Sequence, residues 1–345
     1  MKTQIFKIDS DNIDNTVIDK AADIIKSGGL VAFPTETVYG LGGDGLNPSA
    51  SMKIYSAKGR PSDNPLILHI SDLSQLNRLV TEIPETAVKL ADHFWPGPLT
   101  MIFKKSDIVP KETSGGLDTV AIRFPEDKIA QALITASGTP IAAPSANTSG
   151  RPSPTRASHV EFDLSGKIDM IIDGGPCEFG LESTIVDVPC LLRPGAVTLE
   201  MLRELLGRVD VDKAVVSKLD NGELPKAPGM KYTHYSPSAD VVIVRGDRDK
   251  MVAKINELIS QTDSSLKIGV IATEENKDKY KNCEVLVIGS IKEPLTIASN
   301  LFKMLRKCDY HNINKVFAEG LCEDELGLAI MNRLKKAAGY CIIEV

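Results

Sequence analysis

Residues Leu30–Ser49 read LVAFPTETVYGLGGDGLNPS, and the letters GLGGDG at Gly40–Gly45 match the G-x-G-x-x-G turn of dinucleotide-binding folds. That turn needs a strand running directly into its first glycine and a helix opening at about its last. Here the apolar stretch LVAF stops at Pro34, six residues before Gly40. The next helix is expected to start with Asn47 as its cap and Pro48 in its first position, beyond Gly45. The context rules against a nicotinamide site. The glycines are expected instead to supply positive φ angles in a tight loop. Thr35, Glu36, Thr37 and Tyr39 precede them, placing hydroxyls and a carboxylate at a strand end, where ligands often bind in α/β proteins. The same residues would also serve as turn chemistry.

Outward from this stretch, short apolar runs and helical patterns share the chain. Strands are expected at LVAF, PLILHI, LTMIFKK, TVAIRFP, PIAAPSA, MIIDGG, STIVDV and LLRPGAV. Helices are expected over VIDKAADIIKSGG, ASMKIYSAKG, ETAVKLADHF, DKIAQALITASG and LEMLRELLG. Strict βαβ alternation is missing here, so the fold class is α/β with a mixed sheet. From residue 239 onward strands and helices alternate strictly, from ADVVIV to YCIIEV, and this reads as a smaller, Rossmann-like α/β domain with a parallel sheet. The expected division is a first domain over 1–209, a linker over 210–238 and a C-terminal domain over 239–345. The linker NGELPKAPGMKYTHYSPSAD carries Tyr232, His234 and Tyr235, more ring chemistry than a plain spacer needs.

Composition sets outer limits. Of the 345 residues, 42% are apolar and 25% charged, the balance of an ordinary globular protein. No apolar run reaches membrane-spanning length, and the first residues lack the apolar core of a signal peptide, so a cytoplasmic protein is expected. Six scattered cysteines without C-x-x-C spacing read as reduced thiols, and no compact His/Cys cluster suggests a metal held by side chains. Residues 1–209 hold 20 Lys+Arg against 26 Asp+Glu, a net charge of −6, whereas 210–345 hold 20 of each. A dedicated nucleic-acid binder usually has a basic excess, so any tRNA contact should be weak.

Four constellations carry chemistry. Lys58 and Arg60 flank an expected glycine helix stop at Gly59, followed by Asn64 and a strand holding His69. Two cations there could complement the helix dipole, but the proline-braced Arg60 suits phosphate better. The loop PSANTSGRPSPT offers Ser145, Asn147, Ser153 and Arg151 after a short strand, donors of the kind that form an anion nest. Thr119 and Arg123 lie on TVAIRFP, and Ser183 and Arg193 lie on ESTIVD and LRPGA. Arg60, Arg123, Arg151 and Arg193 all stand near Pro or Gly at strand ends. This pattern points to a small molecule bearing phosphate or carboxylate. His69 could equally be a core histidine, and Glu36 and Asp173 could orient cations or sit on the surface.

These residues also form a recognisable set. PTETVYGLG, Lys58-Gly-Arg60-Pro61, NPLILHI, WPGPLT, VAIRFP, PSANTSG, STIVD and LRPGA together resemble the YrdC family, in its long two-domain form with an APGMKYTHYSP linker. The resemblance implies a twisted mixed sheet around a deep cavity and the synthesis of threonylcarbamoyl-AMP from L-threonine, bicarbonate and ATP, with Mg²⁺ bound through the phosphates. The product would pass to a tRNA threonylcarbamoyl transferase that modifies the adenosine next to the anticodon. The signature tetrad corresponds to Lys58, Arg60, Ser145 and Asn147. By the same resemblance, Thr37, His69, Arg123, Ala143 and Ser183 form the threonine pocket. Arg60, Asn64, Thr119, Ser145, Ser153, Arg193, Tyr232 and His234 form the nucleotide side, with Tyr235 as a further lid residue. Two alternatives are an RNA-binding module without catalysis and a carbamoyl-transferring maturation enzyme. The latter would need zinc-finger C-x-x-C pairs that this sequence lacks.

Overall fold

The structure is a computed structural model that describes residues 2–216, 227 and 235–345. Its internal contacts divide the chain into two compact units, Met1–Ser149 with Ser153–Lys231, and Gly150–Pro152 with Tyr232–Val345. Tyr232 and His234 lie outside the described residues.

In chain order the strands of the first unit are β1 Gln4–Lys7, β2 Val31–Phe33, β3 Gly40–Asp44, β4 Ile67–His69, β5 Leu99–Lys104, β6 Thr119–Arg123, β7 Ile141–Ala142, β8 Met170–Asp173, β9 Thr184–Asp187, β10 Cys190–Arg193 and β11 Asp210–Val211. They hydrogen-bond in the order β1-β8-β2-β3-β7-β4-β6-β5-β9-β10-β11. Pairings such as β4 with β6 are parallel and others such as β5 with β6 antiparallel, giving the mixed sheet that the broken βαβ pattern called for. Helices Asn15–Lys26 and Lys128–Ser137 cover one part of it, burying Ile18, Ala22, Ile25, Ile129 and Leu133 against Phe33, Ile141 and Met170. Each isoleucine or leucine side chain removed from water is worth about 1.5–3 kcal/mol, so this seam is a main source of cohesion.

Local chemistry explains the helix ends that frame the candidate site. Asn47 caps helix Pro48–Lys58 by accepting from the Ser49 amide, Pro48 sits in the first turn, and Gly59 leaves the helix at φ 62°. A left-handed exit is what glycine permits at least cost.

The glycines of the opening stretch behave differently from the expectation. None of Gly40, Gly42, Gly43 and Gly45 has a positive φ. Gly40–Asp44 is a strand, paired antiparallel with β2 so that Phe33 faces Gly40 and Val31 faces Gly42. What the glycines provide is space. A Cβ on Gly42 would stand 2.8 Å from both Ile141 Cγ2 and Phe33 Cε1. On Gly45 it would stand 2.3 Å from Leu68 Cδ2 and 2.8 Å from the Pro140 carbonyl oxygen, which belongs to the backbone and cannot swing aside. The hairpin therefore lets the neighbouring elements close over it.

The second unit contains β12 Asp240–Arg245, β13 Ile268–Thr273, β14 Glu284–Gly289, β15 Lys315–Glu319 and β16 Ile342–Glu344, ordered β14-β13-β15-β12-β16. Every pairing is parallel, as the strict alternation implied. Val244, Ile255, Val270 and Phe317 are in its core. Three residues from earlier in the chain are part of this unit. Ser236 N donates to the Gly150 carbonyl (3.0 Å), Arg306 Nη2 to that of Pro152 (2.6 Å), and Arg151 pairs with Asp309 at 3.1 Å. Tyr235 is buried at φ 69° with its ring 5.0 Å from that of Phe302.

All six cysteines are free thiols. No helix among the described residues is long and apolar enough to cross a membrane.

Because the Gly45 Cβ would meet backbone whereas that of Gly43 meets only side-chain atoms at 3.2–3.4 Å, the two positions should respond differently to alanine. Gly45→Ala should cost about 1–3 kcal/mol of stability, the usual range for overpacking, and Gly43→Ala clearly less. Urea unfolding of both variants measures the difference; equal losses would show that space is not what these glycines supply.

Candidate active site

Three of the tetrad residues, Lys58, Ser145 and Asn147, meet where helix Pro48–Lys58 ends. Lys58 is the last helical residue and is 2% exposed. Its Nζ donates to the carbonyls of Ser145 and Asn147, each at 2.5 Å, and lies 3.5 Å from Asn147 Oδ1. The loop answers through Ser149 N, which donates to the Lys58 carbonyl at 2.8 Å. Ser145 Oγ donates to Asn147 Oδ1 (2.6 Å), and Asn147 Nδ2 donates to the Thr148 carbonyl (2.9 Å). The same loop is tied to the Gly40 hairpin, where Ala146 N donates to Tyr39 O and Leu41 N to Pro144 O. Lys58 is thus built into the loop by direct ammonium–carbonyl bonds. Arg60, two residues on, is half-buried and donates through Nε to Asn64 O (3.2 Å) and through Nη2 to Pro65 O (3.0 Å). Asn64 is 2% exposed, and its Oδ1 has no partner among the described residues.

A second group forms around Arg123 at the end of β6. The parallel register pairs His69 with Arg123, and the antiparallel one pairs Thr100 with Arg123, so all three lie side by side on one sheet face. Arg123 is 4% exposed and donates from Nη2 to Glu36 Oε1 at 2.7 Å. His69 is buried, and burial together with the neighbouring Arg123 charge pulls its pKa down to about 3, so the imidazole is neutral at working pH. Its Nδ1 lies 3.2 Å from the Ile67 carbonyl, an acceptor only, so Nδ1 carries the proton and Nε2 keeps the lone pair. Ala143, just past β7, donates its amide to the Ile67 carbonyl, and the Thr37 hydroxyl is 2.9 Å from that of Thr35.

The segment around Ser183 completes the face. The Ser183 hydroxyl lies 2.7 Å from Thr100 Oγ1 and accepts from Arg193 Nη2 at 3.2 Å, while Arg193 Nε donates to the Ser183 carbonyl. Ser153 Oγ donates to Glu182 Oε1 at 2.5 Å, one residue away. Thr119 opens β6. It is four residues before Arg123 on β6, about 13 Å along the strand. There it lines a cavity of about 200 Å³ with Glu82, Lys104 and Asp187.

Glu36 is one of two carboxylates, with Asp173, whose role the sequence leaves open. It is 6% exposed and pairs directly with Arg123, so the surface alternative does not hold. The available signal was a lone carboxylate between two threonines at a strand end. Asp127, which caps helix Lys128–Ser137 through the Ala130 amide, adds a second, half-buried carboxyl whose pKa is pushed up to about 6, chiefly by loss of solvation.

Comparison with known proteins sets this geometry in a family. Residues 23–195 match a family model described as "Telomere recombination", and residues 197–339 match one described as "Threonylcarbamoyl-AMP synthase, C-terminal domain". A threonylcarbamoyl-AMP synthase of Pyrococcus abyssi is 51% identical over 97% of this chain and 98% of its own length. That of Bacillus subtilis is 45% identical over 99% and 100%. The chain belongs to the threonylcarbamoyl-AMP synthase family. The crystal structure of P. abyssi Sua5 complexed with L-threonine superposes with a TM-score of 0.94 at 50% identity, covering 99% of this chain and all of that one. The two-part α/β architecture is therefore that of the family. Membership in a family of synthases makes the chain an enzyme and removes the RNA-binding module as an alternative.

The buried ionisable groups predict opposing pH effects. The folded-state pKa of His69 lies below its unfolded value near 6.5, so between about 6.5 and 3 the unfolded chain binds the extra proton and acid destabilises the fold. Asp127 has a raised folded-state pKa, so its contribution is present below about 3.8 and is lost as pH rises through about 6. Relative to His69→Gln, the wild type should lose on the order of 1 kcal/mol per pH unit as pH falls below 6.5. Relative to Asp127→Asn it should gain over the range from 6 to 4. Denaturant unfolding at pH 7.5, 6 and 5 reads both slopes, and a flat wild-type-minus-variant difference would contradict the assignment.

Proposed function

We propose that this chain makes threonylcarbamoyl-AMP from L-threonine, bicarbonate and ATP, releasing pyrophosphate, and hands it to a tRNA threonylcarbamoyl transferase. What supports this most directly is a buried Arg123 beside a neutral His69, in a chain related over nearly its whole length to threonylcarbamoyl-AMP synthases. Threonine's amine takes up bicarbonate as a carbamate with loss of water. A carbamate oxygen then attacks the α-phosphorus of ATP and displaces pyrophosphate. Carbamates decompose readily in water, so the step favours a site that holds both reactants aligned and excludes solvent.

Each side chain has a role that its position suits. Arg123 pairs with the threonine carboxylate through its planar fork. The His69 Nε2 lone pair accepts from the threonine hydroxyl, with Thr37, Ser183 and the backbone at Ala143 completing that pocket. Arg60, Arg193, Asn64, Ser145 and Ser153 serve the nucleotide, and Asn64 Oδ1 is a buried acceptor able to take a hydrogen bond from it. Thr119 would reach the nucleotide only at the far end of β6. Lys58 acts first by holding Ser145 and Asn147 in place, because its ammonium already donates to both carbonyls. Displacement at phosphorus depends chiefly on such positioning and on charge stabilisation. In this proposal Mg²⁺ would be carried by the phosphates of ATP and would supply positive charge there.

Pyrophosphate release should require L-threonine and bicarbonate together, and turnover of ATP indifferent to threonine would refute the reading. Arg60→Ala and Lys58→Ala should each lower kcat/KM by about 10²-fold or more, the usual scale for losing an electrostatic or positioning group. Circular dichroism checks that the variants keep their fold. L-Serine, which keeps the hydroxyl, should replace threonine better than L-valine, because valine leaves His69 Nε2 without its donor.

A further inference from the structure

Arg123 and Glu36 form an ion pair that is complete on one side only. Both side chains are 5% exposed, and Arg123 Nη2 is joined to Glu36 Oε1 at 2.7 Å. Arg123 Nε and Glu36 Oε2 are each buried and without a hydrogen-bond partner among the described residues. One is a cationic donor and the other an anionic acceptor. A buried polar atom left unpaired costs about 1–3 kcal/mol, and more when it is charged. Two such atoms on adjoining side chains are a standing deficit that a ligand of matching polarity would relieve.

The matching ligand is a zwitterion. Its carboxylate satisfies the guanidinium and its ammonium satisfies the free carboxylate oxygen. The pair Arg123–Glu36 has no net charge, and neither does an α-amino acid, so such a guest adds no uncompensated charge to it. A hydroxy acid of the same shape would add an uncompensated negative charge beside Glu36 and leave Oε2 unpaired. Buried charges are tolerated only when paired, so such a guest should be rejected strongly.

We propose that Glu36 is the receptor for the α-ammonium group of the substrate, and that together with Arg123 it selects an α-amino acid over the corresponding hydroxy acid. This inference rests on the threonine reading given above. It assigns Glu36 more than the task of holding Arg123. The backbone supports its placement, since Glu36 O accepts from Phe179 N at 2.9 Å and the adjacent Thr35 hydroxyl donates to the Val38 carbonyl at 2.6 Å, fixing the turn. Asp127 is the other carboxyl close enough to be felt by this pair, but its Oδ1 is engaged by the Ala130 amide.

The test is calorimetric titration of the full chain with L-threonine and with 2,3-dihydroxybutyrate of the same configuration, in which a hydroxyl replaces the amine. The wild type should prefer threonine by about 10²-fold or more, the scale seen when a site's buried polar group loses its partner. In Glu36→Gln the threonine affinity should drop by about 30-fold or more, with the hydroxy acid changed by less than about 3-fold, so the preference collapses. Glu36→Asp, which keeps the charge at a shorter reach, should retain part of the preference, and Asp127→Asn should retain nearly all of it. If Glu36→Gln weakens both ligands equally, Glu36 only positions Arg123 and the inference is wrong. Should that variant not fold, the wild-type ratio alone decides, because equal binding of the two ligands overturns the ammonium assignment. A wild type that binds neither ligand overturns the threonine reading itself, a distinguishable result.

Discussion

The ammonium of Lys58 is the interaction on which the candidate site depends. It is nearly inaccessible to water, and it joins the end of helix Pro48–Lys58 to the carbonyls of Ser145 and Asn147. A buried cation is tolerated only when its hydrogen bonds replace the lost hydration. Two carbonyls at 2.5 Å, placed where a helix terminus already concentrates negative partial charge, do so. The bond from Ser149 N to the Lys58 carbonyl closes the ring, and the links from Ala146 and Leu41 extend it to the glycine hairpin. Removing the lysine would therefore release a loop as well as a charge.

A different solution operates around Arg123. Its charge is met by one carboxylate oxygen of Glu36, and His69, beside it in the strand register, gives up its proton. Burial and the guanidinium both oppose a cationic imidazole at His69, so the ring stays neutral and can serve as a hydrogen-bond acceptor. The two parts of the site follow one rule in opposite directions. Lys58 is closed by backbone carbonyls, whereas Arg123 Nε and Glu36 Oε2 have no partner among the described residues.

Much of this was legible in the sequence. Apolar runs such as PLILHI and TVAIRFP became β4 and β6, and the strict alternation after residue 239 became a parallel sheet. The end signals at Asn47, Pro48 and Gly59 held because each rests on local backbone chemistry. The glycines of GLGGDG were misread because glycine has two uses, permissive φ and absence of a side chain, and a sequence does not say which is wanted. Only the packing of Phe33, Ile141 and Leu68, all distant in the chain from at least one of these glycines, shows that space decides. Glu36 escaped for a related reason. Its partner is 87 residues away, and no local pattern marks a carboxylate for burial. Arg123, by contrast, stood out at the end of a strand next to Phe124-Pro125, where apolar surroundings make a lone cation conspicuous.

The charge balance acquires a physical meaning from these contacts. Residues 1–209 carry a net −6, a poor beginning for holding a triphosphate by surface attraction. Two of the three candidate-site arginines are not surface charges, however. Arg60 is held by the carbonyls of Asn64 and Pro65, Arg193 by that of Ser183, and Arg123 by a carboxylate, with Arg123 and Arg193 nearly inaccessible. Cations fixed in advance on neutral carbonyls retain their charge toward a ligand and need little rearrangement when it arrives. In a low-dielectric setting such charges count for far more than the same number spread over the surface. An acidic exterior with a few pre-oriented interior cations therefore favours a compact anion that can enter a pocket over a polyanion that must lie along the surface. That distinction separates a nucleotide from a tRNA backbone without invoking any base-specific contact.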